Sequence, residues 1–188
     1  MIAITNRLLC RRPLHEQVSL IAEAGAEMVI LREKDLPDDE FRELAIPCRE
    51  ACGDVPFSIN SKVDVAREIG VSRVHLPMPV LRETDVSDFE LVGASVHSVE
   101  EAVEAEKLGA DYLIAGHVFT TACKQSDPRG VLFLRSVCEA VHIPVYGIGG
   151  IDAGNVGMVK DAGAKGACAM SGVMSVDDPG EVIRALSW

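Results

Sequence analysis

The chain has 188 residues, the size of one domain. Its 18 Lys and Arg against 29 Asp and Glu give a formal net charge of −11, which excludes a general binder of phosphate backbones or anionic membranes. Aromatics at 4% leave too few rings for a base-stacking surface, so an anionic ligand must be small and held in a local pocket.

No run approaches the roughly 18 continuous apolar residues of a membrane-spanning helix. Met1–Thr5 reads as a buried first strand and not as the core of a signal peptide. A cytoplasmic location is therefore expected, with no nucleic acid and no membrane among the partners. The six cysteines form no CxxC pair, which favours reduced, packed thiols over zinc or disulfides.

Short apolar runs alternate with amphipathic stretches along the whole chain. Strands are predicted at Ala3–Thr5, Met28–Leu31, Phe57–Ile59, Arg73–Leu76, Leu91–Ala94, Tyr112–Ala115, Val145–Ile148 and Ala167–Met170. Nearly continuous apolar runs of this kind suit parallel strands buried on both faces. A helix is predicted from Pro37, with Phe41, Leu44, Ala45, Cys48 and Cys52 on one face and an interruption at Pro47. Another opens on Ser98-Val99-Glu100-Glu101, a capping-box pattern, turns Ala102 and Val103 inward and stops at Gly109. Two more are predicted over about Asp152–Ala162 and Asp178–Leu186, and a weaker one lies between Pro77 and Asp88.

Gly25, Gly70, Gly109 and Gly163 each stand between a helix and a strand, about 40 to 55 residues apart, a step that holds two strand–helix units. Eight such units predict a single-domain (β/α)8 TIM barrel over residues 1–188, slightly short for that fold. An open doubly wound sheet is the second choice.

In such a barrel the site lies at the C-terminal ends of the strands. Read in order, those ends carry Arg32, Glu33 and Lys34; Asn60; His75; Ser95 and His97; His117 with Thr120, Thr121 and Lys124; Gly149 and Gly150; and Ser171 and Gly172. The glycine-bearing ends of strands seven and eight suggest a phosphate held on backbone N–H groups, the alternative being plain tight turns. GIGG is no P-loop, since no GK[ST] follows. Arg32 and Lys34 alternate in an extended segment, so both can face the site, whereas in isolation they would read as a solvated charge run. Lys124 is a similar case.

Among the five histidines, His15 reads as surface and His142 as structural. His75 and His97 lie at the rim, with a structural role at least as well supported for each. His117 is the best acid–base candidate, because it directly follows the glycine that ends strand six. No paired carboxylates, GxSxG elbow or HExxH cluster is present, which favours proton transfer or binding over hydrolysis.

Leu31-Arg32-Glu33-Lys34-Asp35, Ile59-Asn60, Val74-His75-Leu76, the run from Tyr112 through Lys124 and Ile148-Gly149-Gly150-Ile151 resemble the thiamine phosphate synthase superfamily over nearly the whole chain. Residues 95–102 and the segment GHVF-x-T-x-CK at 116–124 look like its thiazole tautomerase branch. Two departures from the synthases support that branch. Synthases carry Asn-Asp after strand three, where this chain has Asn60-Ser61. They carry Gly-Gln-x-Asp after strand four, where it has Leu76-Pro77-Met78-Pro79. The resemblance implies that these aspartates help hold magnesium on a pyrophosphate, and that a proline usually stands where His117 is.

The expectation is thus an isomerase without cofactor or metal, which aromatises a carboxythiazoline ethyl phosphate in thiamine biosynthesis. His117 would shuttle the proton. Gly149, Gly150, Ser171 and Gly172 would hold the phosphate. Arg32, Lys34 or Lys124 would offset the carboxylate, and Asn60, Ser95 and Thr121 would contact the substrate. The alternatives are a thiamine phosphate synthase, joining pyrimidine and thiazole phosphate moieties, and a non-catalytic phosphate-binding regulatory barrel. Oligomeric state is left open.

Overall fold

A computed structural model describes residues 1–121 and 126–188 of the chain. Eight parallel strands close into a barrel in sequence order: β1 (Ile2–Ile4), β2 (Met28–Leu31), β3 (Phe57–Asn60), β4 (Arg73–Pro77), β5 (Leu91–Val96), β6 (Tyr112–Gly116), β7 (Val145–Ile148) and β8 (Gly166–Ala169), with β1 pairing β8 to complete the ring. The chain is a (β/α)8 TIM barrel, and all eight predicted strands are present within two residues of their expected bounds.

Alternation explains why the strand sequences are apolar throughout. Side chains of an extended strand point to opposite faces in turn. Ile2, Ile4, Met28, Ile30, Tyr112, Ile114, Tyr146 and Cys168 fill the barrel interior. Their neighbours Ala3, Val29, Leu31, Leu113, Ala115 and Ala167 pack outward against the helices. Each large side chain removed from water in this way contributes on the order of 1.5–3 kcal/mol.

The helices are α1 (Leu14–Glu23), α2 (Asp38–Ala51), α3 (Val63–Glu68), α4 (Met78–Glu83), α5 (Val99–Lys107), α6 (Gly130–Ala140), α7 (Val156–Asp161), α8 (Ser171–Met174) and α9 (Gly180–Ala185). Four of them, α3, α4, α7 and α9, are six residues long, which is how the fold fits a short chain. α2 runs unbroken through Pro47, contrary to the expected interruption, because Phe41, Ala45 and Cys48 keep a continuous buried face against the barrel. α7 starts four residues later than expected: Asp152–Asn155 form a turn in which Asp152 Oδ1 accepts the Gly154 amide. At α5 the capping pattern is realised with its return bond shifted one residue, to His97 and not to the N-cap Ser98. Ser98 Oγ accepts the Glu101 amide at 3.1 Å, and the Glu101 carboxylate reaches back to the His97 amide at 2.6 Å. Ala102 is buried as expected, and Val103 is half-buried. The four recurring glycines each end a helix at positive φ, from +67° to +92°, the left-handed C-cap that a side chain would strain.

Among the described residues no helix is long and apolar enough to cross a membrane. The five described cysteines are free thiols. Burial pushes those of Cys48 and Cys52 up to about 12, so neither is a thiolate at neutral pH.

Candidate active site

The C-terminal mouth of the barrel opens on a cavity of about 390 Å³. The sequence-derived candidates Arg32, Lys34, Asn60, Ser95, His117, Thr121, Gly149, Gly150, Ser171 and Gly172 all line it. Lys124 lies outside the described residues, as does the rest of the 122–124 end of the GHVF-x-T-x-CK segment.

β2 sets the cationic side. Arg32 and Lys34 both face the cavity, while Glu33 between them is 2% exposed and turned toward β1. There the Glu33 carboxylate accepts the Thr5 hydroxyl at 2.6 Å and the Arg7 backbone amide at 3.0 Å. Thr5 in turn accepts the Arg32 amide at 2.9 Å. One strand end thus sends two cations inward by anchoring the carboxylate between them.

The β7 loop forms another wall. Gly149 and Gly150 have φ +98° and +64°. A Cβ on Gly149 would lie 2.2 Å from His117 Cβ, and one on Gly150 would lie 2.3 Å from the Thr120 carbonyl. Only glycine allows this approach to the β6 end. The loop is pinned through its carbonyls: Gly149 O accepts the Phe119 amide at 2.9 Å, and Gly150 O accepts Asn155 Nδ2 at 2.8 Å.

His117 is buried, and its Nε2 stands 3.0 Å from the Ser126 carbonyl. A bond from Nε2–H to that carbonyl leaves Nδ1 as the nitrogen available to accept. Asn60 donates Nδ2 to the His75 carbonyl at 2.8 Å, so its amide clasps β3 to β4. Among the other histidines, His97 is exposed at the rim and lines the cavity, and His15 is exposed as expected. His142 is exposed, with Nδ1 3.6 Å from Glu106. His75 is buried, with Nε2 2.7 Å from Ser95 Oγ.

Sequence reasoning missed the apolar floor of the cavity, made by Ile4, Ile30, Ile114, Ile148 and Cys168. The signal was available in the alternate inward positions of β1, β2, β6, β7 and β8.

Among the described residues no carboxylate lines the cavity. Its oxygen donors are hydroxyls, the Asn60 amide and backbone carbonyls. A hard dication such as magnesium is held through carboxylates. Ser61, with φ +64°, stands where the family resemblance implies an aspartate, and Pro77 and Met78 stand near the second acidic position. These residues do not fit a magnesium pyrophosphate site. Among the described residues no group of three or more His, Cys, Asp or Glu is arranged to hold a metal.

These observations define a (β/α)8-barrel protein with a cationic, carboxylate-free pocket at its C-terminal mouth. Residues 1–173 match the family model for thiamine monophosphate synthase, and the chain belongs to that family. It is 38% identical over 185 residues to a thiamine-phosphate synthase of Syntrophomonas wolfei, with 93% of this chain and 88% of that protein covered. It is 40% identical over 182 residues to a thiamine-phosphate synthase of Pyrococcus abyssi, with 93% and 86% covered. Among solved structures it resembles the thiamine phosphate pyrophosphorylase of Pyrococcus furiosus, with a TM-score of 0.84, 37% identity and 98% and 92% of the two chains covered.

The superfamily expected from the sequence is therefore correct, and the function expected within it is corrected. The relatives carry the name of a synthase, a transferase, and the thiazole tautomerase reading is set aside along with its isomerase chemistry. The features that suggested it are local: residues 95–102, the 116–124 segment with His117, and the missing aspartates after β3 and β4. The match to the synthases runs over nearly the whole chain.

Proposed function

We propose that this chain is a transferase that joins a thiazole ethyl phosphate to a pyrimidine bearing a pyrophosphate leaving group. The observation that carries the reading is identity of 38–40% to thiamine-phosphate synthases over 93% of the chain. The cavity chemistry is compatible with it. The phosphate of the thiazole would rest against the backbone of Gly149 and Gly150 and against Ser171 and Gly172. Arg32 and Lys34 would face the negative charge that gathers on the departing pyrophosphate, in a mouth with no carboxylate to oppose them. The isoleucine floor would take the rings and keep water from the reacting carbon. No step is assigned to a metal, because the donors do not suit one.

The missing carboxylates favour one second reading, a barrel that binds a phosphate ester without turning it over. A coupling assay separates the two. Purified protein is incubated with the thiazole phosphate and the pyrimidine pyrophosphate, and thiamine phosphate is followed by chromatography. The transferase reading expects product, with an Arg32→Ala variant slower by about 10²-fold. No product with or without magnesium, with inorganic phosphate still bound, would establish the second reading.

A further inference from the structure

Below the mouth, three neighbouring strands place polar groups in one row. The register pairs His75 with Gly93 and Gly93 with Tyr112. His75 is 3% exposed and Tyr112 is 4% exposed. His75 Nδ1 stands 3.2 Å from the Tyr112 hydroxyl, and His75 Nε2 stands 2.7 Å from Ser95 Oγ. The two rings lie 5.5 Å apart, tilted by 32°. Gly93 makes the row possible: a Cβ there would sit 2.1 Å from Tyr112 Cζ and 2.5 Å from His75 Nδ1. His75 and Ser95 both line the cavity, and the row ends on the Ser95 hydroxyl.

Burial holds His75 neutral, its pKa lowered to about 3, so the ring carries one N–H at neutral pH. Burial likewise raises the Tyr112 phenol, which therefore keeps its proton. That proton needs an acceptor. The Ser58 hydroxyl lies beside the phenol but outside the geometry of a normal hydrogen bond, so it is the poorer acceptor. The acceptor at hydrogen-bond distance among the described residues is His75 Nδ1. Nδ1 is then the bare nitrogen and Nε2 carries the hydrogen. Nε2–H donates to Ser95 Oγ, which frees the serine proton for an acceptor in the cavity.

We infer that Tyr112 and His75 are positioning residues that make Ser95 a hydrogen-bond donor toward an anionic oxygen of the ligand. The ligand half of this inference rests on the anion-pocket reading above. The tautomer half does not. The row has a direction, from phenol to imidazole to serine to ligand, and a neutral imidazole relays it without changing its own charge.

The test has two arms. Long-range proton–nitrogen correlation spectra of the ¹⁵N-labelled protein assign the His75 tautomer without any ligand. The Nε2–H form is expected in the wild type. In Tyr112→Phe, which keeps the ring and deletes the donor, the Nδ1–H form is expected to appear. Wild-type Nδ1–H, or an unchanged tautomer in Tyr112→Phe, would overturn the inference. In the second arm, inorganic phosphate is titrated calorimetrically. Ser95→Ala and Tyr112→Phe are each expected to weaken binding about tenfold, and the double variant no further. Unchanged affinity in Ser95→Ala would overturn the donor role. Absence of phosphate binding by the wild type would overturn the ligand half together with the pocket reading, with the spectra still deciding the tautomer. Failure of the coupling assay alone would strike the transferase reading and leave both arms intact.

Discussion

The Thr5 hydroxyl donates to Glu33 Oε1 at 2.6 Å while accepting the Arg32 amide at 2.9 Å, so one side chain ties a buried carboxylate to the residue that puts a cation into the cavity. Thr5 is fully buried and Glu33 nearly so. Thr5→Val keeps the shape and removes the donor. Hydrogen bonds to charged groups contribute about 1.5–3 kcal/mol, so a loss of about 2 kcal/mol in unfolding free energy is expected by urea titration. An unchanged midpoint with an unchanged slope would show that the tie is not needed.

The β7 loop offers a controlled pair of variants. Gly149→Ala meets both a positive φ and the His117 side chain, whereas Gly25→Ala, at φ +88°, meets nothing within 4 Å. Left-handed backbone alone costs a side chain about 1–2 kcal/mol, and overpacking adds about 1–3. Thermal unfolding should show the larger loss for Gly149→Ala. Inorganic phosphate binding should fall in that variant and survive in Gly25→Ala. Equal losses of stability in the two would mean that the close approach to His117 is without consequence.

Acid should destabilise the fold through His75. Its pKa is about 6.5 in the unfolded chain and about 3 in the fold. Between those values the unfolded state binds a proton that the folded state refuses, so stability is complete above pH 6.5 and falls as the pH drops toward 3. The slope from this one group is about 1.4 kcal/mol per pH unit. His75→Asn cannot bind that proton. Denaturant unfolding at pH 7, 6 and 5 should therefore show a shallower acid decline for the variant, whatever its stability at pH 7. Parallel declines would place the acid sensitivity elsewhere.

Chelation gives the fourth expectation. Among the described residues the cavity is lined by the cations Arg32 and Lys34 and by no carboxylate. Phosphate affinity should therefore be the same, within about twofold, with EDTA and with excess magnesium. A strong rise in affinity on adding magnesium would show that hydroxyls and amides alone recruit the ion here.

The barrel was legible because both its faces are apolar. Runs such as Met28–Leu31 and Tyr112–Ala115 could only be strands buried on two sides, and a glycine in the left-handed cap after every second helix marked the repeat. The rim residues followed, because in a parallel barrel the strand ends share one mouth. Magnesium ligands could also be seen to be missing, since that depends on residue identity alone. What the sequence could not decide was direction and partnership. Glu33 and Lys34 are adjacent charged residues, yet one is buried on Thr5 and the other faces the cavity, which depends on how β1 packs beside β2. Asn60 looked like a ligand contact and spends its amide on the His75 carbonyl. His75, Tyr112 and Ser95 are far apart in the chain and meet only because β4, β5 and β6 are neighbours and Gly93 leaves room between them. His117 and the missing aspartates after β3 and β4 misdirected the functional reading because a few local positions were weighed above the pattern of the whole chain. Amino-acid periodicity and identity determined the fold, the mouth and the donor chemistry. Tertiary structure decided which polar atom is already bonded and which still faces the ligand, because that follows from distances between strands far apart along the chain.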